Sequence, residues 1–312
     1  MPTPSRSRAT DLDSWLAHWR ETIDAALGGL LPARHQTAAA VHDAMSYALL
    51  APGKRIRPTL TLAVGEIYRV EPRRLIPAAC AIEMVHTSSL ILDDLPSMDD
   101  SATRRGRPAC HAVHGEATAI LAAVGLLNHA YAILAGDAPG RQMDGTRDRL
   151  RAMVARRLAF AIGPDGVIGG QTADLEATRR HLAGDRSVDL ITLEFIHSHK
   201  TGSLFIASAE VGALLSGATP EELDALTSYA KNLGLAFQIT DDLIDAVGDA
   251  AVAGKPVKAD AGKTTFVALC GVDGARGLAA DLVDTAVRSL EPFGRRAARL
   301  RDLALFVATR DR

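Results

Sequence analysis

The chain has 312 residues, of which 47% are apolar, 23% charged and 4% aromatic, the composition of an ordinary globular protein. Its 35 basic and 37 acidic residues leave a formal charge of −2, so the overall charge does not indicate binding to nucleic acid or to an anionic membrane surface. The three scattered cysteines, Cys80, Cys110 and Cys270, suit reduced thiols in a cytoplasm better than a disulfide framework or a zinc site.

The hydrophobic pattern is helical. Apolar residues recur at intervals of three and four, as in Trp15, Trp19, Ile23 and Leu27, whereas strand-like alternation is scarce. Without an internal repeat or a linker between halves, the chain is predicted to be one all-α domain over 1–312, a helical bundle. The predicted helices cover 10–30, 36–50, 59–69, 73–95, 112–136, 144–163, 187–216, 220–248, 263–271 and 274–309, the last broken near Pro292.

One segment is apolar enough to raise the question of a membrane. Residues 117–136 carry no charge and are long enough to span a bilayer. Thr118, Asn128 and His129 interrupt the segment and no basic flank orients it, so it is predicted to be a buried helix of the bundle, with no stable membrane insertion. The N-terminus lacks the apolar core of a secretory signal, and its early aspartates argue against a transit peptide. A cytoplasmic location is therefore expected.

Four carboxylates are crowded into the sequence DDLPSMDD at 93–100. They follow a long apolar helix, which Pro96 is expected to end or kink. Asp93 and Asp94 then lie in its last turn, where the helix dipole disfavours negative charge. Repulsion among these groups would cost stability unless a cation is bound, and paired carboxylates are the ligands that Mg²⁺ prefers, particularly beside phosphate oxygens.

A second cluster, DDLID at 241–245, also follows an apolar run. Asp241 and Asp245 are four residues apart and share one helix face with Asp242 beside them. A single acidic cluster could be a solvated surface turn. Two of them, each attached to an apolar helix, favour a divalent-metal site built between helices.

Basic residues accompany both clusters and suit an anionic substrate. Arginine forks bind diphosphate oxygens in a bidentate manner, and lysine acts as a point charge. Any one of these residues alone could be a solvated surface base or part of an ion-pair network. They are Lys54, Arg55 and Arg57 in PGKRIRP, Arg104 and Arg105 in RRGRP, and Lys200, Lys255, Lys258 and Lys263 around the second cluster.

From about 45 to 270 the sequence resembles the trans-isoprenyl diphosphate synthases, a family of prenyltransferases that includes the farnesyl and geranylgeranyl diphosphate synthases. Seven motifs follow one another in the family order. They are PGKRIRP, EMVHTSSLILDDLPSMDD, RRGRPACH, GGQTAD, HSHKTGSLF, GLAFQITDDLID and GKPVKADAGKTT.

The resemblance implies a fold of the isoprenoid synthase type with a central active-site cavity, a homodimer, and three Mg²⁺ ions per site, for which Mn²⁺ can substitute. The implied metal ligands are Asp93, Asp94, Asp99, Asp241, Asp242 and Asp245. The groups implied to bind the allylic diphosphate are Arg104, Lys200, Gln238, Lys255 and Lys263, of which Arg104, Lys200 and Lys255 join Asp93, Asp94, Asp99 and Asp241 as catalytic. Those implied for isopentenyl diphosphate are Lys54, Arg57, His86 and Arg105, and those lining the reaction centre are Gln171, Thr201 and Phe237.

The sequence departs from the family pattern at a few places. Pro52 replaces the first glycine of a usual pair, Leu92 stands where a histidine commonly precedes the aspartates, and the loop 255–263 looks short. None of these removes a predicted metal ligand, so they bear on affinity more than on activity.

Product length is argued from helical geometry. Ser88 and Ser89 precede Asp93 by about one turn, roughly 5.4 Å, a step comparable to one isoprene unit. A bulky aromatic residue there would close the pocket early, whereas Met84 and Val85 on the next turn can form a deeper floor. We therefore expect geranylgeranyl diphosphate as the product, unless the two serines face a neighbouring helix and do not touch the growing chain.

Several alternatives stay open. One is a farnesyl diphosphate synthase that condenses the same substrates, isopentenyl diphosphate with dimethylallyl or geranyl diphosphate, to a shorter product. From other classes, a class I terpene cyclase would not need PGKRIRP, and a non-catalytic synthase subunit typically loses an aspartate motif. The last is a helical scaffold with incidental acidic patches.

Overall fold

The computed structural model describes residues 6–136, 145–185, 188–247 and 265–309. Almost all of these residues are helical, which confirms the all-α prediction. They form two compact units, divided between Ala155 and Arg156 within one helix. The prediction of a single domain over 1–312 with a central cavity stays a prediction.

The first unit consists of helices and one short hairpin. Its helices are α1 (Arg6–Leu30), α2 (Ala39–Leu49), α3 (Ile56–Ile67), α4 (Ile76–Asp93), α5 (Cys110–His114) and α6 (Glu116–Ala135), with 3₁₀ turns at Gln36–Ala38 and Pro72–Arg74. The hairpin pairs β1 (Thr103–Arg104) with β2 (Arg107–Pro108) in antiparallel register. Helix α7 (Gly145–Ile162) crosses the boundary between the units.

In the second unit, every regular element among the described residues is helical. It contains α8 (Val167–Leu182), α9 (Leu190–His197), a π-helical turn (Ser198–Gly202), α10 (Ser203–Ser216), α11 (Pro220–Val247), α12 (Phe266–Ser289), a 3₁₀ segment (Glu291–Ala297) and α13 (Ala298–Thr309).

Each unit is built around one helix that carries an aspartate cluster at its C-terminal end. In the first unit α4 packs against α1, α2, α3 and α6, and it is buried along most of its length. In the second, α11 packs against α9, α10, the π turn, α12 and α13. An added Cβ at Gly234 of α11 would lie 3.1 Å from the Gly202 Cα, so the glycine allows the close contact between α11 and the π turn. The two clusters are therefore anchored on the best-packed helix of each unit.

Helix α6 is only partly the buried helix that the sequence predicts. It is long and apolar enough to span a membrane by length and composition, and 33% of its apolar window is buried. One face, with Ala119, Ala123 and Leu126, is buried within the unit, while Leu121 and Val124 are exposed.

Three elements differ from the predicted ones. Helix α8 was not predicted, because its Gly169-Gly170 pair and the flanking glycines indicate a loop. The predicted helix over 112–136 is divided at Gly115, whose φ of 79° ends α5. The predicted helix over 187–216 has the right extent, but its centre is a π turn. The breaks expected after 271 and near Pro292 are confirmed as a kink at Gly271 and a 3₁₀ segment.

Candidate active site

The first aspartate cluster forms a tight turn at the end of α4. The backbone N–H of Asp99 donates to the carbonyl of Asp93 at 2.9 Å, so the chain folds back and brings the two residues together. Both are half-buried. Pro96 follows the last turn, in agreement with the expected helix end.

Asp94, between them in the sequence, is 2% exposed. Arg104 Nε donates to its two carboxylate oxygens at 2.9 and 3.1 Å, and the Arg104 Nη2 donates to Oδ1 as well. Burial lowers the pKa of Arg104, but the bonds to Asp94 and the charges of Asp93 and Asp99 outweigh it and raise that pKa above its ordinary value. As a metal ligand, Asp94 would have to leave or share this bidentate ion pair.

The hairpin sets the position of Arg104. Its turn residues Arg105 and Gly106 have φ of 55° and 72°, the two positive values that a type I′ turn requires. Arg104 at the end of β1 therefore faces Asp94. Beside the hairpin lies a pocket in the first unit whose lining includes Tyr47, Thr87, Leu90, Asp94, Arg104 and Arg105.

A second cationic group surrounds the PGKRIRP turn. Arg57 Nη1 lies 3.2 Å from His86 Nε2. Burial lowers the pKa of His86 well below 6.5, and the charges of Arg57, Arg105 and Arg104 lower it further. His86 is therefore neutral, and its Nε2 accepts from Arg57.

Arg105 completes this group from the hairpin. Its guanidinium lies over Gly53, where an added Cβ would come within 2.6 Å of Nη1. Burial lowers the pKa of Arg105, as do the nearby charges of Arg55 and Arg104, whereas Glu83 raises it. Lys54 is exposed at the same turn. The four residues predicted for isopentenyl diphosphate thus share one region of the first unit.

The residues predicted to measure chain length lie on the buried stretch of α4. Ser88 is 4% exposed, and its hydroxyl donates to the Ala123 carbonyl of α6 at 2.8 Å. Ser89 donates to the His86 carbonyl, and Met84 and Val85 are buried. Ser88 thus faces a neighbouring helix, which was the alternative to a role in the pocket wall.

In the second unit the π turn presents Lys200 and Thr201. Lys200 Nζ donates to Asp174 Oδ2 of α8 at 2.7 Å. An added Cβ at Gly170 would lie 2.1 Å from the Lys200 backbone nitrogen, so only glycine allows α8 to approach the turn this closely. Gln171, next to it, has no hydrogen-bond partner for its buried amide among the described residues.

A chain of hydrogen bonds leads from the π turn to the second cluster. Thr201 donates to Gln238 Oε1 at 3.1 Å, and Gln238 Nε2 donates to Asp242 Oδ1 at 3.1 Å. Asp242 Oδ2 accepts the backbone N–H of Phe266 at 3.0 Å. Both carboxylate oxygens of the buried Asp242 are therefore engaged.

Asp241 and Asp245 are half-buried on α11, one turn apart, as their spacing predicts. The half-buried ring of Phe237 packs on Phe205, with the ring centroids 5.3 Å apart. Lys255 and Lys263, the remaining predicted ligands of the allylic diphosphate, lie outside the described residues, as does the loop between them.

Within the described ranges, no three carboxylate, histidine or cysteine side chains are already gathered in the manner of a formed metal site. The donor chemistry nevertheless fits Mg²⁺, because Asp93 and Asp99 on one turn, and Asp241 and Asp245 on one helix face, offer hard oxygen ligands. Such sites usually need substrate phosphate oxygens and water to complete the coordination.

Two acidic residues of these regions were not predicted. Asp174 stands in GGQTAD and pairs with Lys200, and Glu83 stands in EMVHTSS and pairs with Arg55 at 2.7 Å. The sequence feature that could have identified Glu83 is its position as an acidic residue in an otherwise apolar helix, since such a residue is rarely buried without a partner.

The all-helical fold, with two aspartate clusters and cationic groups near the first, defines a class of enzymes that handle diphosphates. The polyprenyl synthetase family model matches residues 38–288, and the chain belongs to this family. It is a transferase of the prenyltransferase type, and its relatives make short-chain prenyl diphosphates.

Individual relatives support the same family assignment. The chain is 42% identical over 274 residues to geranylgeranyl pyrophosphate synthase of Capsicum annuum, covering 87% of this chain and 72% of the relative. It is 40% identical over 304 residues to farnesyl diphosphate synthase of Geobacillus stearothermophilus, covering 96% and 98%. A solved FPP/GFPP synthase from Zymomonas mobilis in its apo form is similar with a TM-score of 0.83 and 34% identity, over 96% of this chain and 100% of the other.

Proposed function

We propose that this protein condenses isopentenyl diphosphate with an allylic diphosphate and makes geranylgeranyl diphosphate. The observation that carries the proposal is the presence of two neighbouring cationic groups with different partners in one unit. Arg104 lies at the aspartate turn, whereas Arg57, Arg105 and the neutral His86 lie at the PGKRIRP turn. Two anion-binding groups suit a reaction with two diphosphate substrates, and a terpene cyclase would need only one.

The aspartates are proposed to divide into two roles. Asp93, Asp99, Asp241 and Asp245 are the half-buried candidates for binding Mg²⁺. Asp94 and Asp242 are buried with both oxygens accepting hydrogen bonds, so they are proposed to orient Arg104 and Gln238. Bound Mg²⁺ would supply positive charge for the departing diphosphate.

The reaction requires little from the side chains beyond position and charge. Arg104 and Lys200 are proposed to bind the allylic diphosphate, whose C–O bond breaks and leaves an allylic cation. The double bond of isopentenyl diphosphate, held by Lys54, Arg57 and Arg105, attacks that cation, and a proton is then lost, which the released diphosphate can accept. No side-chain nucleophile is needed, and an apolar pocket protects the cation from water.

The product length is proposed from Ser89, a small half-buried residue one turn before Asp93, since Ser88 donates to the Ala123 carbonyl of α6. The relatives include geranylgeranyl and farnesyl diphosphate synthases, so farnesyl diphosphate is the second candidate. Homodimer formation is proposed from the family resemblance, and a cytoplasmic location is proposed from the three scattered free cysteines.

Incubation with Mg²⁺ and dimethylallyl, geranyl or farnesyl diphosphate in turn, with and without isopentenyl diphosphate, tests the function. Elongated products that require isopentenyl diphosphate are expected. Hydrocarbons formed in its absence would instead indicate a cyclase, and no turnover would indicate a non-catalytic subunit or scaffold.

A further inference from the structure

A buried ion pair lies beneath the cationic group at the PGKRIRP turn. Arg55 Nη1 donates to Glu83 Oε1 at 2.7 Å, and the two side chains are 0% and 2% exposed. Burying two charges costs free energy that their attraction repays only with good geometry and further hydrogen bonds. Such a pair is therefore weak evidence for stability, and its presence beside a binding group calls for another reason.

The further hydrogen bonds fix Arg55 completely. Its Nε donates to Asp24 Oδ1 at 2.7 Å, and its Nη2 donates to the carbonyls of Leu49 and Ala51, each at 2.9 Å. The guanidinium is thereby tied to α1, to the end of α2 and to α4. Burial lowers the pKa of Arg55, but Glu83 and Asp24 outweigh it and raise that pKa, so the side chain stays charged.

The backbone at Arg55 is in the left-handed region, with φ of 50° and ψ of 34°. A non-glycine residue rarely adopts this conformation, and surrounding structure must hold it there. Lys54 precedes Arg55, and Arg57 lies in the first turn of α3 that follows. The bonds of the Arg55 side chain therefore fix the directions in which these two residues leave the turn.

Glu83 also reaches the hairpin. Its Oε1 lies 3.7 Å from Arg105 Nη2, and Arg105 Nη1 makes a long contact of 3.4 Å with the Ala51 carbonyl. One carboxylate oxygen thus lies close to arginines from both basic motifs, PGKRIRP and RRGRP. Removing its charge would loosen Arg105 and the turn together.

We propose that Glu83, paired with Arg55, is a positioning residue that holds Lys54, Arg57 and Arg105 in the arrangement that binds one diphosphate. The inference rests on the proposed function, in which this diphosphate belongs to isopentenyl diphosphate. Glu83 does not touch the substrate; it acts through the three cationic residues.

The test is steady-state kinetics of Glu83→Gln, which keeps the shape of the side chain and removes its charge. The KM for isopentenyl diphosphate is expected to rise about tenfold, the loss expected for a hydrogen bond between charged groups. The kcat and the KM for the allylic diphosphate are expected to change less than about twofold. A purely structural role would move all three parameters together or none of them.

Glu210→Gln is the matched control, because Glu210 is also a buried acid paired with an arginine, Arg157 at 3.3 Å, and lies in the other unit. It is expected to lower the melting temperature about as much as Glu83→Gln does, but to leave the KM for isopentenyl diphosphate unchanged. An equal rise in both variants would overturn the inference.

Asp24→Asn is the substitute test if Glu83→Gln fails to fold, because Asp24 also accepts a hydrogen bond from Arg55 and its side chain is 44% exposed. It is expected to raise the same KM at least about twofold, and an unchanged KM would overturn the inference. Wild-type protein that needs no isopentenyl diphosphate for turnover would contradict the proposed function instead, so the two failures can be told apart.

Discussion

At the scale of single residues, neighbouring aspartates of one motif have different surroundings. Asp93 is half-buried beside Asp99, whereas Asp94 is buried in a bidentate pair with Arg104. The same holds for Asp241 and Asp242 on α11. The motif alone does not show this division, because it depends on tertiary contacts. Arg104 of the hairpin donates to Asp94, and the backbone N–H of Phe266 at the start of α12 donates to Asp242.

This division predicts different kinetics for two similar variants. Asp93→Asn is expected to lower kcat about 100-fold and to raise the Mg²⁺ concentration needed for half-maximal rate, because a metal ligand is lost. Asp94→Asn is expected to raise the KM for the allylic diphosphate about tenfold, because Arg104 loses its partner. Titration of activity with Mg²⁺ separates them, and identical Mg²⁺ dependence in the two variants would contradict the division.

His86 predicts a pH dependence of stability. Its pKa in the folded protein is well below 6.5, so the unfolded chain binds a proton that the folded chain does not as the pH falls through that value. The free energy of unfolding therefore drops on the acid side. Urea unfolding between about pH 7.5 and about pH 5 is expected to show a smaller loss for His86→Gln than for the wild type. Equal losses would show that His86 is not held neutral.

At the scale of elements, α4 combines the aspartate turn with the residues proposed to set product length. Ser89→Phe is expected to shorten the main product to farnesyl diphosphate, because Ser89 is half-buried one turn before Asp93 and an aromatic ring there would take up space for the growing chain. Ser89→Ala is the control, since it removes the same hydrogen bond to the His86 carbonyl without adding volume, and its product is expected to stay unchanged. Chromatography of the dephosphorylated products measures the chain length, and an unchanged profile for Ser89→Phe would contradict the assignment of Ser89 to the pocket wall.

The sequence predicted the two helices that bear the aspartate motifs, since α4 and α11 have strong apolar patterns and clear ends. It did not predict α8, because glycine is read locally as a helix breaker whereas Gly170 is needed for the approach to Lys200. The π turn at Ser198–Gly202 has no local signature either. Its effect is to present Lys200 and Thr201 toward α8 and α11, so its cause is tertiary packing.

The sequence names candidate residues for the site, but it does not show which of them contact one another. The gathering of Arg57, His86 and Arg105 in one unit agrees with the family resemblance. The pairing of Glu83 with Arg55 could not be derived from the sequence, because it joins residues 28 positions apart through side-chain geometry.

At the scale of the whole molecule, membership of the polyprenyl synthetase family explains why both aspartate clusters lie on the central helix of their unit. Repulsion within a carboxylate cluster costs free energy unless the cluster is fixed in position and a cation binds to it. A well-packed helix provides that position, and the flanking basic residues are proposed to provide the counter-charge for the substrate.

The most direct test of the central claim is elongation of farnesyl diphosphate with labelled isopentenyl diphosphate and Mg²⁺. We predict that label enters geranylgeranyl diphosphate, and that this is the main product when dimethylallyl diphosphate is the primer. Failure to elongate farnesyl diphosphate, while geranyl diphosphate is converted to farnesyl diphosphate, would contradict the assigned product and identify the shorter-chain synthase.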